Sequence, residues 1–302
     1  MAAVGALPAF SLLAWMAAAA DASGARSGQL ADRGGTFGPE KGWLVIDGGQ
    51  EPLLPAIAKR FVTLAGGPEA NVVLIPTAMH GRGNDNALPM SEVEAYKKAL
   101  GAKSITVLNT RDPAVANSEA FVAPVRKATG VWFAGGSESN IVTTYVGTRV
   151  QKELEAVLAR GGVVGGSSAG AIVLGAIALI PPKRSPSGFV PEDNRTFGFV
   201  HNVFIIPHVL QMNWENRMAE GMAAYRGLLG IGVDAGAAVV VHGNQCEVIG
   251  DSKVLLPNGS GADGKGYEVL TAGARFDLAQ AMKRMNVQPA QSENQLIVRP
   301  DK

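Results

Sequence analysis

The stretch Val163-Val164-Gly165-Gly166-Ser167-Ser168-Ala169-Gly170-Ala171-Ile172-Val173-Leu174 decides how the chain is read. An apolar run, a turn of small residues and a second apolar segment free of helix breakers describe a strand that turns sharply into a helix. Within it, Gly166-Ser167-Ser168-Ala169-Gly170 has the Gly-x-Ser-x-Gly spacing of a nucleophile elbow. Glycines two positions either side of the serine remove Cβ atoms that would clash as the chain reverses, so the middle serine projects at the carboxyl end of the strand. The helix that follows leaves unpaired backbone N–H groups beside the serine, and Ala169 N–H is the expected first donor to an oxyanion. A phosphate-binding turn is the competing reading of such a motif. It ranks lower because no Lys follows the glycines.

Around this motif, apolar runs alternate with amphipathic segments from Gly42 onward, the order of a mostly parallel sheet with helices on both faces. Strands are expected at Trp43 to Ile46, Asn71 to Ile75, Ile105 to Leu108, Val131 to Phe133 and Val203 to Ile206. Helices are expected at Leu53 to Leu64, Ser91 to Leu100 (with Ser91 as N-cap), Ser118 to Ala128, Thr148 to Arg160 and Asn213 to Leu228. The later runs Ala237 to Val241, Cys246 to Ile249 and Lys253 to Leu256 read as antiparallel strands. Lys183 to Thr196 reads as a long surface loop. The fold class is therefore α/β, a three-layer sandwich with antiparallel strands toward the carboxyl end. The domain spans 42–272, followed by a tail at 273–302 with one helix near Phe276 to Met285.

A nucleophilic serine needs a base, and the chain has four histidines. His208 follows the strand Val203 to Pro207 and precedes a helix, which puts it at a carboxyl edge where ligands bind. His80, in a Gly-rich loop, could approach the same edge. His201 precedes its strand and His242 ends a later one, so both read as structural or solvent-facing.

Composition narrows the function classes. The 302 residues carry 27 Lys+Arg against 26 Asp+Glu, a formal net charge of +1, with no basic run to bind nucleic acid or a membrane surface. A single cysteine, Cys246, excludes an internal disulfide and a cysteine-rich zinc site, and the histidines are not paired at metal-ligand spacing, so neither metal nor cofactor is expected. The 38 glycines fit a chain with many tight strand-to-helix turns. Residues 1–20 hold no charged side chain and read as a secretory signal, although no Lys or Arg precedes the apolar centre and Pro8 interrupts it. The expectation is a periplasmic or secreted protein, with a cytoplasmic one as the alternative. Residues 21–41 read as a linker.

The ordered blocks Leu44-Val45-Ile46-Asp47-Gly48-Gly49, Val73-Leu74-Ile75-Pro76-Thr77-Ala78, Val131-Trp132-Phe133-Ala134-Gly135-Gly136, the Ser168 elbow, His208 and Gly230-Ile231-Gly232-Val233-Asp234 resemble the serine peptidase family of cyanophycinase and dipeptidase E. The resemblance covers about Gly42 to Leu256. It implies a fold like class I glutamine amidotransferases, Ser168 as nucleophile, His208 as general base and a second oxyanion donor from the backbone at Gly136. It also implies Ser137, Glu138 and Arg217 as substrate contacts, a small peptide or isopeptide as substrate, and a homodimer.

Several blocks depart from the family pattern. Asp-Gln-His-Phe becomes Ile206-Pro207-His208-Val209, the arginines that follow are replaced by Met212 and Trp214 with only Arg217 left, and Gly-Gly-Asp-Gln becomes Gly135-Gly136-Ser137-Glu138. These changes argue against a β-Asp-Arg polymer as substrate. The family's orienting glutamate is Ala235. Asp234 is the adjacent acid to hold His208, or else a buried acceptor in a turn. Glu215 and Glu138 are the other carboxylates within reach, and a site with no acid is the remaining case. An esterase would use the same elbow, and a protein that binds a peptide-like ligand without turnover would retain it.

Overall fold

The apolar runs become two sheets in the computed structural model, which describes residues 35–79, 88–179, 194–225, 227–260 and 266–287. β1 (Trp43–Asp47), β2 (Asn71–Ile75), β3 (Ser104–Val107), β4 (Gly130–Phe133) and β5 (Val163–Ser167) pair in parallel in the order β1-β5-β4-β2-β3. Beyond β1 the sheet continues antiparallel through β8 (Ala237–His242), β9 (Gln245–Gly250) and β12 (Arg275–Asp277), which makes eight strands.

Both faces of the parallel part are covered, which is why β1, β2 and β4 carry apolar runs rather than alternating ones. Val45, Val72, Leu74 and Trp132 face α1 (Pro55–Leu64) and α2 (Met90–Leu100), whose Ile57, Phe61, Val93 and Tyr96 are buried against them. Leu44, Ile46, Val73, Ile75, Val131 and Phe133 share the opposite core with Val122 of α4 (Glu119–Lys127), Ile141 of α5 (Glu138–Tyr145) and Leu154 of α6 (Arg149–Ala159). Trp132 is fully buried with its ring edge-on to Phe61 at 5.0 Å, a contact worth about 0.5–1.5 kcal/mol beyond area burial. A one-turn helix, α3 (Pro113–Ala116), is capped by the Asp112 side chain.

β6 (Val203–Pro207) does not join this sheet. It pairs in parallel with β7 (Leu229–Val233), and β10 (Val254–Pro257) and β11 (Tyr267–Leu270) complete a second, four-stranded sheet in the order β11-β10-β7-β6. The segments Val203 to Ile206 and Lys253 to Leu256 are strands as expected, and their partners lie in this second sheet. An apolar run reports burial on both faces but not the identity of its neighbours. Val203, Ile205, Leu229 and Ile231 belong to the main core, whereas Phe204, Ile206 and Leu255 form a separate cluster with Met218 of α8 (Asn216–Ala224).

Other boundaries move for local reasons. Pro89 rather than Ser91 occupies the N-cap of α2, and Gly101 ends it with φ 57°. The helix expected from Asn213 begins only at Asn216, because Asn213 is left-handed (φ 54°). α9 (Leu278–Arg284), inside the segment read as a tail, buries Leu278, Ala281 and Met282 in the main core. Ahead of Gly42, Phe37 is buried and its N–H donates to Asn244 Oδ1 at 2.8 Å, so the packed region begins within the segment read as a linker. The signal-like residues 1–20, the linker up to residue 34, the loop at 80–87 with His80, the loop at 183–193 and the tail beyond 287 lie outside the described residues.

Candidate active site

β5 lies between β1 and β4, so the turns that leave the carboxyl ends of these three strands meet at one edge. At the end of β5, Ser168 adopts φ 53° and ψ −112°, a conformation that costs a non-glycine residue about 1–3 kcal/mol. Ala169 then starts the short helix α7 (Ala169–Ile172), which gives the strand, turn and helix that the motif requires. The flanking glycines are needed for their missing side chains. A Cβ on Gly166 would lie 2.3 Å from Gly170 O, and one on Gly170 would lie 2.4 Å from Phe133 O.

The turn after β1 holds both reacting groups. Ser168 N–H donates to Asp47 O at 3.0 Å, and His208 N–H donates to Gly48 O at 3.1 Å. His208 follows β6 in the second sheet, is left-handed itself (φ 53°), and faces Ser168 with Nε2 2.9 Å from Oγ. Gly49 sits directly against the pair. A Cβ there would be 2.6 Å from His208 Nε2 and 2.8 Å from Ser168 Cβ. The structure therefore brings Ser168 and His208 into hydrogen-bond contact from different sheets, with the β1 turn as their common support.

The acid is not where the adjacent-residue argument put it. Asp234, at the end of β7, accepts backbone N–H groups of Leu210 and Gln211 on Oδ1, both at 3.0 Å, and the Ser252 hydroxyl on Oδ2 at 2.7 Å. It is a buried turn acceptor, the second of the roles considered for it, and it acts on the backbone beyond His208 rather than on the ring. The ring's Nδ1 instead meets Gln211 Oε1 at 2.8 Å. Sequence reasoning missed Gln211. The contact spans three residues of a turn in which Met212 N–H donates to His208 O at 2.9 Å, and no spacing rule marks it.

The remaining candidates lie at the edge or around it, except His242 and His201, which lie toward the amino end of β1. Gly136 and Ala169 present amide N–H groups that meet no acceptor among the described residues. Gly135 lies alongside Ser168, since a Cβ there would be 3.4 Å from Ser168 Cβ. Ser137 N–H donates to Ala78 O at 2.9 Å, and half-buried Glu138 opens α5 beside this turn. Arg217 stacks over the Trp214 ring at 4.0 Å. Half-buried Glu215 occupies the N-cap of α8. His242 stacks on Trp43 at 4.3 Å with Nδ1 2.8 Å from Gly42 O, a structural role. His201 N–H donates to Phe37 O at 2.7 Å.

Beneath the elbow lies a second polar group that the sequence did not announce. Asp47 is fully buried, its Oδ2 has no hydrogen-bond partner among the described residues, and Gly49 N–H reaches Oδ1 only at 3.3 Å. Burial pushes its carboxyl up to about 7 against the opposing effects of the Ser167 hydroxyl and Gly49 N–H. The neighbouring Tyr96 hydroxyl is also pushed up by burial. Glu51, nearer the surface, is raised first by burial and then by Glu92, while Tyr96 and His208 pull it down. Among the described residues no cluster of His, Cys, Asp and Glu is arranged to hold a metal ion, and no helix is long and apolar enough to cross a membrane.

Comparison with known proteins gives the family. The model of peptidase family S51 matches residues 44–249. The cyanophycinase of Geminocystis herdmanii is 26% identical over 221 residues, which cover 72% of this chain and 80% of that one. The cyanophycinase of Synechococcus elongatus is 26% identical over 199 residues, 64% of this chain and 61% of that one. The solved structure of a peptidase from an acI-B1 Actinobacterium shares the fold with a TM-score of 0.63 at 23% identity, over 80% of this chain and 98% of the other. The chain belongs to peptidase family S51, with cyanophycinases among its relatives.

Proposed function

We propose that this S51 peptidase is a serine-type enzyme that cleaves a small peptide or isopeptide through an acyl-enzyme. The observation that carries the reading is the 2.9 Å contact between Ser168 Oγ and His208 Nε2 at the carboxyl edge of β5. In this mechanism Ser168 Oγ attacks the amide carbonyl carbon while its proton passes to His208 Nε2. The carbonyl oxygen, now negative, is received by the amide N–H groups of Gly136 and Ala169. The tetrahedral species collapses as His208 returns the proton to the leaving amine. Water, deprotonated by the same nitrogen, then attacks the acyl carbon, the bond from that carbon to Oγ breaks, and His208 returns the proton to Ser168 Oγ. Ser137, Glu138 and Arg217 are the proposed substrate contacts, and the lost arginines at Met212 and Trp214 favour a short substrate over a polymer.

A second reading, binding of a peptide-like ligand without efficient turnover, is favoured by one observation: His208 Nδ1 faces the neutral Gln211 rather than a carboxylate. A fluorophosphonate probe separates the two. The wild type should be labelled at Ser168, Ser168→Ala should not, and a panel of dipeptides and β-linked isopeptides should then be cleaved. Failure of the wild type to label, with the fold intact by circular dichroism, would remove the enzyme reading.

A further inference from the structure

We infer that Gln211 is the positioning residue for His208, standing where a carboxylate would act, and that its neutrality keeps the site slow. The inference rests on the Ser168–His208 reading above. For His208 to take the serine's proton, Nε2 must carry a lone pair, so the proton of the neutral ring has to sit on Nδ1. Gln211 Oε1, 2.8 Å from Nδ1, accepts that proton in a hydrogen bond and selects this tautomer. An amide, unlike a carboxylate, also has a donor end. When the Gln211 NH2 group faces Nδ1 instead, the ring proton moves to Nε2 and the serine loses its base. Gln211 therefore supplies the right geometry with only partial selection of the tautomer, and it adds no negative charge to stabilise the imidazolium that forms during attack. Glu51, in the loop after β1, is the carboxyl that acts on His208 from another element, and it is the same in every variant compared below.

The turn that presents Gln211 is held independently of its side chain. Asp234 Oδ1 fixes the N–H groups of Leu210 and Gln211, and Ser252 fixes Asp234 in turn. Asp234 thus acts one step further out, on the backbone that carries the positioning residue. Because the Gln211 side chain is exposed, it can be exchanged without emptying the core.

The experiment is the second-order rate of Ser168 labelling by a fluorophosphonate, measured against pH, for wild type, Gln211→Glu and Gln211→Ala. In this reaction Ser168 Oγ bonds to phosphorus, fluoride leaves and His208 takes the hydroxyl proton, so the probe reads the base without knowledge of the substrate. Gln211→Glu, which can only accept, exchanges a neutral hydrogen bond for a charge-assisted one and should label about tenfold faster. The acidic limb of its pH profile should move to higher pH. Gln211→Ala should label at least about tenfold more slowly, from loss of tautomer and ring orientation. A purely structural role would leave the pH profile in place. Equal rates and superimposable profiles for all three proteins would overturn the inference while leaving the serine reading intact. An unreactive wild type with a reactive Gln211→Glu supports it. If Ser168 is unreactive in all three, the serine-type reading itself falls, and this inference with it.

Discussion

The Asp47 carboxyl supplies a measurable consequence of how the elbow is supported. Asp47 is wholly buried at the end of β1, its Oδ2 is unpartnered among the described residues, and its carboxyl rises from 3.8 to about 7, chiefly by burial. At about 1.4 kcal/mol per pH unit, that rise corresponds to about 4 kcal/mol between the protonated and ionised forms in the folded protein. The native state binds the proton more tightly than the unfolded chain. Stability from this group is therefore complete below about pH 4, is lost as pH rises toward about 7, and is level above that. Asp47→Asn keeps the shape and cannot ionise. It introduces an amide NH2 that also lacks a partner, at a cost of about 1–3 kcal/mol, but this cost is the same at every pH. Urea unfolding of wild type and Asp47→Asn between pH 4 and pH 8 should thus give a stability difference that shifts in favour of the variant by about 4 kcal/mol as pH rises. Every other titrating group cancels in the comparison. Parallel stability curves would refute the argument that Asp47 is held in a dry site and would mean that water or a counter-charge reaches it.

Two further substitutions test the geometry around the pair. Gly49→Ala places a Cβ 2.6 Å from His208 Nε2 at a backbone φ of 94°, and the displacement of the imidazole should lower Ser168 labelling on the order of 100-fold with a native circular dichroism spectrum; a rate within threefold of wild type would show that the ring moves aside freely. Ser252→Ala removes the hydroxyl that Asp234 Oδ2 accepts at 2.7 Å, so stability should fall by about 1.5–3 kcal/mol in urea and labelling should slow as the Leu210-Gln211 turn loosens; an unchanged unfolding midpoint would show that Oδ2 finds another donor.

The parts of this site that the sequence discloses are those in which a local clash dictates residue type. Gly166 and Gly170 are legible because the reversal at Ser168 leaves no room for a Cβ at either position. β1, β2 and β4 are legible because burial on both faces leaves an apolar run. What is not legible depends on tertiary placement. Val203 to Pro207 looks like one more strand of the same sheet, yet β6 pairs with β7 in another. Glu138 to Tyr145, rich in Ser, Thr and Val, gives a weak helical signal and is held as α5 by burial of Ile141, Thr144 and Tyr145. Gln211 is invisible because its contact depends on the left-handed backbone of His208, a state that glycine would advertise and histidine does not. Asp234 is found at the right place with the wrong task, since a carboxylate that caps two backbone amides and one that holds an imidazole look alike in sequence.

An orienting acid does two separable things: it fixes the ring's position and tautomer, and it stabilises the imidazolium. In this chain the backbone sets where His208 stands, and the ring's orientation and tautomer are left to Gln211. His208 is tied by its own N–H to Gly48 O, the turn beyond it is tied by Asp234, and Ser168 is tied by its N–H to Asp47 O, so one turn after β1 sets the distance between nucleophile and base. With no carboxylate on the ring, the 2.9 Å contact between His208 Nε2 and Ser168 Oγ is still in place. What no backbone carbonyl can replace is a full negative charge beside Nδ1. Under the proposed mechanism the deficit lies in charge and tautomer and not in the distance between the pair, and a single carboxylate at position 211 is sufficient to restore it, whereas any change that moves the β1 turn is not repairable by charge.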